Sequence, residues 1–152
     1  MKFADSRGRR VRLDPVASVL VQISGDDWIG VDGDASDGHR HWDFRGDVLV
    51  RADLDRIAQW LDDVAVRRIP TTGVEDEPSL TFTEPSLAFS VGTYGDESVE
   101  LRIHLTHWFA PPWLDPDEVL STYTYFVALS LALGDLEGVA TAWNAQAAQL
   151  LG

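Results

Sequence analysis

The chain has 152 residues, enough for one domain that buries roughly 68–70% of the surface its unfolded chain exposes. It contains no cysteine, which excludes a disulfide framework, a thiol nucleophile and a cysteine-based zinc site. The 25 acidic and 12 basic side chains give a net charge of −13, which opposes nucleic-acid phosphates and anionic membranes. We therefore expect neither nucleic acid nor a membrane as a partner.

The N-terminal segment is basic but lacks the apolar core of a secretory signal. No stretch of the sequence approaches the roughly 18 apolar residues of a membrane span. We therefore expect a cytoplasmic protein that forms a single domain over residues 1–152. Residues 1–14 form either a flexible basic arm or a first edge strand.

Short apolar or alternating runs separated by Gly and Asp dominate the first third of the chain. They predict strands over residues 16–23, 27–33, 39–44 and 47–52, with a turn at Gly46-Asp47 between the last two. Consecutive short strands of this kind predict an antiparallel meander.

A helical period begins at Asp53 and continues to Val64. Its apolar positions share one helix face: Leu54, Ile57, Ala58, Leu61 and Val64. Asp53 is the predicted N-cap, because its carboxylate can accept backbone N–H groups of the first turn. Pro70 and Gly73 end the segment, and an acidic loop over residues 71–79 follows.

Apolar residues alternate on both sides of the break Glu84–Ser86. A hairpin centred on this break places Phe82 opposite Phe89 and Leu80 opposite Val91, so that both apolar sets share one face. Glu84 has no acid–base partner identifiable in the sequence. We therefore interpret it as a turn residue rather than a catalytic acid.

Residues 99–105 and 122–132 are alternating strands, and the second gives the strongest strand signal in the chain. A Pro-containing loop joins them, and an apolar stripe from Leu136 to Leu150 predicts a C-terminal helix. The whole pattern predicts an α+β domain. It combines a largely antiparallel sheet of about six to eight strands, in a meander and hairpins, with two amphipathic helices, one mid-chain and one C-terminal.

Three potential metal ligands alternate along the predicted strand 39–44. His39, His41 and Asp43 would project from one face, a spacing that can present metal ligands. Polar residues on the solvent face of a half-buried strand are the more ordinary explanation. A metal-binding protein or enzyme that uses these residues is therefore an alternative hypothesis, and no cofactor is predicted.

The six tryptophans form a second group of candidate functional residues. Trp60 falls off the apolar stripe of the predicted helix, and Trp108 and Trp113 lie in the Pro-containing loop. We expect these three to include exposed anchors, since Trp is enriched at binding hot spots. The acidic pair Asp62 and Asp63 adds candidate contacts for a basic protein partner.

The order of several segments is similar to that of a known family. These are DDWIGV, DLDRIAQWLDDV, LTFTEPSLAFSV, an alternating strand, and YTYFVALSLAL before a helix containing Trp143. The order resembles the WapI family of immunity proteins, small cytoplasmic proteins linked to contact-dependent polymorphic toxins of bacteria. The resemblance covers roughly residues 26–150, and L-x-F-x-E-P-x-L-x-F at residues 80–89 is its most specific part.

The resemblance implies a non-catalytic protein-binding module that neutralises a cognate toxin by binding it directly. An acidic surface suits a basic toxin domain such as a nuclease, because complementary charge steers association. Two alternatives stay open: the metal-binding protein or enzyme described above, and a domain with a structural or regulatory role. A homodimer paired through residues 122–132 also stays open.

Overall fold

The structure, a computed structural model, describes residues 1–18, 27–120 and 122–152. The described strands, numbered in chain order, are β1 (Lys2–Ala4), β2 (Arg9–Ala17), β3 (Trp28–Asp37), β4 (His41–Val50), β5 (Leu87–Tyr94), β6 (Ser98–Leu105) and β7 (Phe126–Ala132). The described helices are α1 (Arg51–Ala65), α2 (Pro116–Leu120) and α3 (Leu136–Leu151). Two 3₁₀ turns lie at His107–Phe109 and Leu133–Asp135.

The strands form two antiparallel sheets, ordered β1-β2-β3-β4 and β5-β6-β7. One continuous hydrophobic core includes side chains from both sheets and from α1 and α3. The predicted α+β class is confirmed, with a mid-chain helix and a C-terminal helix. Within the described residues, every helix falls short of the length and apolar character that a membrane span requires.

The first sheet begins earlier in the chain than the predicted strand over residues 16–23. β2 starts at Arg9, because Val11 and Leu13 enter the core while the residues between them stay at the surface. Residues 19–23 of the predicted strand lie outside the described part of the chain. Residues 1–14 supply β1, at the edge of the sheet, and most of β2.

The predicted turn at Gly46-Asp47 is wrong. β4 runs without interruption to Val50 and accommodates a shift of register opposite Ile29 and Gly30. The strand then leads straight into α1, which starts at Arg51.

Asp53 is the third residue of α1 rather than its N-cap, so this prediction is also wrong. Its carboxylate nevertheless binds the start of the helix, because Oδ2 accepts the backbone N–H of Val50 at 2.9 Å. Oδ1 accepts a hydrogen bond from Arg56 at 2.7 Å. The helix begins at Arg51, two residues before the predicted start at Asp53, because β4 extends to Val50 and leads directly into it.

α1 and α3 pack on each other through the core. The buried Trp143 donates its indole N–H to the carbonyl oxygen of Leu54 at 2.9 Å. Met1 attaches the other side of α3 to the first sheet, because its amino group donates to Leu13 O and to Gln146 Oε1, both at 2.7 Å. These polar contacts fix the helices in addition to apolar burial.

The segment before β5 forms a smaller pairing than the predicted hairpin. Leu80 and Phe89 exchange two backbone hydrogen bonds, at 3.1 and 3.0 Å, so Leu80 lies opposite Phe89 and not opposite Val91. Phe82 still meets Phe89 edge-on, with ring centroids 6.3 Å apart. The predicted register is wrong because residues 83–86 form bends and a turn instead of continuing a second long strand.

The predicted strand over residues 122–132 begins only at Phe126. Tyr123 has a φ of 68°, in the left-handed region, which an extended strand does not contain. β7 pairs with β6 and lies at an edge of the second sheet. On its other edge the N–H of Ser130 donates to the carboxylate of Asp5 at 3.3 Å.

Gly33 lies at the closest approach within the first sheet. A Cβ atom at this position would lie 2.4 Å from the carbonyl oxygen of Arg12 and 2.5 Å from the ring of Phe44. We expect Gly33→Ala to lower the free energy of unfolding by about 1 to 3 kcal/mol, because backbone and core would have to shift. The matched control is Gly138→Ala in α3, where a Cβ atom meets nothing within 4 Å.

Gly138→Ala should stabilise the protein by roughly 0.4 to 1 kcal/mol, since alanine restricts the unfolded chain and favours helix. Chemical denaturation of both variants measures the difference. Equal stabilities would show that the close approach at Gly33 is relieved without strain.

Candidate functional site

Trp108 is the most exposed large apolar side chain among the described residues, at 73% of its full exposure. It lies in the 3₁₀ turn that follows β6. The next residue, Phe109, is fully buried and stacks on Phe44 with ring centroids 4.5 Å apart. Trp42 donates its indole N–H to the carbonyl oxygen of Phe109 at 3.0 Å. The exposed indole therefore stands next to a residue that is locked into the core.

The turn Glu84–Ser86 supports the same segment from the other side. Thr106 donates its backbone N–H to Ser86 O and its hydroxyl to Pro85 O, each at 2.9 Å. Trp108 donates its backbone N–H to Ser86 Oγ at 3.2 Å. Ser86 Oγ in turn donates to Glu84 Oε1 at 2.6 Å. We call residues 84–86 and 106–109 together the Trp108 platform.

His107 carries backbone strain at the centre of this platform. Its φ of 49° lies in the left-handed region, which costs a non-glycine residue about 1 to 3 kcal/mol. Hydrogen bonds to the backbone of Thr106 and Trp108 hold the residues on either side of it. The fold therefore retains an unfavourable backbone conformation at the residue before Trp108.

Trp113 is half-buried, unlike Trp108. Its ring meets Trp42 edge-on at 5.1 Å between centroids, and the guanidinium carbon of Arg40 lies 4.0 Å from its ring centroid. This side chain thus has an aromatic and a cationic partner within the protein. Trp113 packs beside the platform instead of projecting freely from it.

Trp60 is not one of the exposed tryptophans. Trp60 is 4% exposed, donates to Ser79 Oγ at 3.0 Å and contacts Phe89 with ring centroids 5.5 Å apart. The segment before β5 covers this side of α1, so the buried face of the helix is wider than its apolar stripe. Asp62 is exposed, whereas Asp63 accepts a hydrogen bond from Gln59 and pairs with Arg68 at 3.7 Å.

The three candidate metal ligands do not share one strand face. His39 lies in the turn between β3 and β4, whereas His41 and Asp43 lie on the exposed face of β4. The predicted strand 39–44 starts too early, because Asp37 accepts the N–H groups of His39 and Arg40 and thereby closes a turn. In the described ranges, no group of three or more His, Asp and Glu side chains is placed to hold a metal ion.

A cleft of about 420 Å³ separates the acidic loop from the segment before β7. We call it the acidic cleft, and it is lined by Val74, Glu75, Asp76, Glu77, Thr122, Tyr123 and Thr124. Its three carboxylates are exposed, and none forms an ion pair with a described basic side chain. Partial burial raises the pKa of the Tyr123 hydroxyl, and the charges of Glu77 and Glu84 raise it further. The acidic cleft therefore lies within electrostatic range of the Trp108 platform.

His104 fixes the inner wall of this region. Its Nδ1–H donates to the carbonyl oxygen of Tyr123 at 2.8 Å, and its Nε2 accepts the hydroxyl proton of Ser90 at 2.7 Å. Burial lowers the pKa of His104 to about 4, a shift that Arg102 reinforces and the hydrogen bond to Tyr123 opposes. A Ser–His contact can serve nucleophilic catalysis, but here both side chains are buried, at 1% and 5% exposure. The pair connects β5 with the segment before β7.

Most of the positive charge is neutralised within the fold. Eight arginines form ion pairs with nearby carboxylates: Arg7, Arg9, Arg10, Arg12, Arg40, Arg56, Arg68 and Arg102. The remaining acidic side chains give the surface its excess of negative charge. The field around the protein is consequently negative.

Sequence reasoning did not assign Ser86, Thr106 or Tyr123 to the site. Ser86 and Thr106 lie 20 residues apart and meet only through the fold. The sequence signal that could have identified Ser86 is the polar break Glu84–Ser86 between two apolar runs. Small polar residues at such a break often form hydrogen bonds to a nearby backbone.

The fold and its exposed groups describe an acidic α+β protein in which the most exposed large apolar side chain of the described residues, Trp108, stands on a hydrogen-bonded turn. The profile of the immunity protein WapI-like family matches residues 2–151, and the chain belongs to this family. The predicted resemblance is thereby confirmed over nearly the whole chain. The comparison with curated proteins gave no match, and neither did the comparison with solved structures.

Ser86→Ala tests the hydrogen bonds of the platform. The substitution leaves the Trp108 N–H without its acceptor and removes the bond to Glu84. We expect a loss of about 1 to 3 kcal/mol in the free energy of unfolding. Thr83→Ala, at an exposed position beside the same turn, is the matched control and should stay within about 0.5 kcal/mol of the parent chain. Equal effects of the two variants in chemical denaturation would contradict the bracing role.

His104 makes the stability depend on pH. Because its pKa falls from 6.5 to about 4 on folding, the unfolded chain binds the proton first as the pH is lowered. The contribution is complete above the unfolded pKa of 6.5 and is lost as the pH falls toward about 4. From this residue alone we expect a loss of about 2 kcal/mol between roughly pH 7.5 and pH 5.

The variant His104→Gln removes the titrating group and should flatten the stability profile in that interval. The exposed His41→Gln serves as the control and should keep the parent profile. Denaturant titrations at both pH values measure the slopes. A parent profile that His104→Gln leaves unaltered would show that other groups cause the pH dependence.

Proposed function

We propose that this chain is a non-catalytic immunity protein that neutralises a cognate toxin by binding it directly. The observation that carries the proposal is the family match over residues 2–151. Inhibition by binding requires a stable surface and no reactive group. The burial of His104 and Ser90, which form a close Ser–His contact, is consistent with such a role.

We further propose that the toxin domain is basic, as a nuclease that binds nucleic-acid phosphates would be. Support comes from the net charge of −13 and from the pairing of most arginines within the fold. Complementary charge accelerates association and disfavours other acidic proteins as partners. The proposed site of action is the cytoplasm, where an immunity protein would meet an incoming toxin.

A metal-dependent or enzymatic role for His39, His41 and Asp43 has no specific support in the geometry. His39 belongs to a turn, and the other two side chains point to solvent from β4. We therefore put forward one function only.

Rescue of growth tests the proposed function. Toxin domains encoded in the same genome are screened, and at least one should arrest growth when expressed alone and permit growth when the full chain is co-expressed. The purified chain should also form a complex with an inactive variant of that domain, measured by calorimetry. Growth arrest that persists with the chain present, together with no heat of binding, would refute the proposal.

Salt dependence tests the charge of the partner. We expect the association rate to fall at least about tenfold between roughly 0.05 M and 0.5 M NaCl, because salt screens long-range attraction. Stopped-flow fluorescence measures the rate, and the dissociation rate should change much less. An association rate independent of salt would leave binding intact but contradict a basic partner.

A further inference from the structure

We propose that the indole of Trp108 is the anchor by which the chain binds its protein partner, and that the Glu84–Ser86 turn positions this anchor. The inference rests on the proposed function, because it assigns a surface to the same binding event. The partner it fits is a basic protein domain with an apolar pocket bordered by Lys or Arg side chains.

Three other tryptophans show how this fold treats an indole that serves stability. Trp42, Trp60 and Trp143 are each at most 4% exposed. Each of them donates its indole N–H to an acceptor within the protein. Trp108 differs in both respects, since it is 73% exposed and its indole N–H has no acceptor among the described residues.

The exposed indole contributes little to folding, although burial of a tryptophan removes about 150 to 250 Å² from water. The fold nevertheless retains the left-handed conformation of His107 beside it. The strained residue thus lies directly between the braced Thr106 and the exposed indole. A binding partner that buries the indole supplies the stabilisation that the isolated fold lacks.

The backbone beneath the indole is fixed before any partner arrives. Hydrogen bonds from Thr106 and Trp108 to the Glu84–Ser86 turn hold one side, and the burial of Phe109 holds the other. The backbone that carries the indole is therefore already ordered in the free protein. A preorganised aromatic anchor of this kind binds with a small entropic penalty.

The net charge of −13 defines the charge of the partner. One carboxylate, that of Glu84, belongs to the platform itself, where it accepts the hydroxyl proton of Ser86. The exposed Val74 adds an apolar group to the lining of the cleft. An acidic surface with one apolar projection is complementary to a basic surface with one apolar depression.

The decisive experiment compares the affinities of the full-length parent chain, Trp108→Ala and Val66→Ala for an inactive variant of the toxin domain that the rescue assay identifies. Val66 is the matched control, because it is 60% exposed and apolar but lies at the end of α1. We expect Trp108→Ala to weaken binding about 30-fold or more and to keep the parent unfolding midpoint. Val66→Ala should bind within about twofold of the parent.

The outcomes separate this inference from the proposed function. Tight binding by the parent and an equally tight complex with Trp108→Ala would overturn the anchor while the immunity function stands. No binding by the parent would overturn both. Weakening by Trp108→Ala that comes with an equal weakening by Val66→Ala would also overturn the anchor, since any exposed apolar group would then suffice.

Ser86 is a positioning residue, and a double-mutant cycle distinguishes this role from general destabilisation. Ser86→Ala should weaken binding about threefold to tenfold when Trp108 is present and have no further effect in the Trp108→Ala background. An equal loss in both backgrounds would show that Ser86 acts on stability alone. Glu84→Gln retains an acceptor oxygen for Ser86 and should lower mainly the association rate.

Discussion

The burial of Phe109 joins the two sheets, and the position of Trp108 depends on it. Phe109 follows β6 of the second sheet, yet it stacks on Phe44 of the first sheet and receives a hydrogen bond from Trp42. The chain between β6 and Phe109 is too short to form a flexible loop. Neighbouring Trp108 is consequently directed away from the core with little freedom to choose another orientation.

The Glu84–Ser86 turn completes this constraint from the opposite direction. Its buried Ser86 accepts backbone hydrogen bonds at O and Oγ from residues on both sides of His107. The most recognisable sequence block of the family resemblance thus acts as a support for a segment 20 residues further along the chain. A polar turn next to a core needs such partners, because buried polar groups without hydrogen bonds destabilise the fold. The turn and the 3₁₀ segment therefore supply hydrogen-bond partners to each other.

Local periodicity was sufficient to predict the helices and strands whose conformation depends on residues close together in the sequence. The apolar stripe of α1 and the alternation in β6 both survive in the structure, because one face of each is buried. Contacts between distant residues were not predictable in this way. The register of Leu80 against Phe89 and the burial of Trp60 under Ser79 depend on where residues 81–86 leave the sheet. The extent of β7 likewise depends on the left-handed backbone of Tyr123, whose carbonyl oxygen is held by His104.

The candidate site was likewise predictable only in part. The sequence identified Trp108 and Trp113 as anchor candidates, since tryptophans in a Pro-containing loop are often exposed. Only the fold distinguishes the exposed Trp108 from the half-buried Trp113. The prediction that His39, His41 and Asp43 share one strand face is wrong, because Asp37 accepts the N–H groups of His39 and Arg40 and closes a turn before β4. The support of Trp108 was not predictable from a local sequence pattern, because it is formed by residues that are distant in the sequence, 84–86 and 106–109.

The two parts of the proposed surface have separable kinetic roles. Exposed carboxylates act at long range, so the acidic cleft and Glu84 would govern how fast a basic partner arrives and how strongly salt slows it. An indole acts only in contact, so Trp108 would govern how slowly the complex dissociates. Rigid support matters for the second role and not for the first. The proposed roles agree with the structure, in which Trp108 lies on a hydrogen-bonded platform and Glu75, Asp76 and Glu77 lie on an exposed loop.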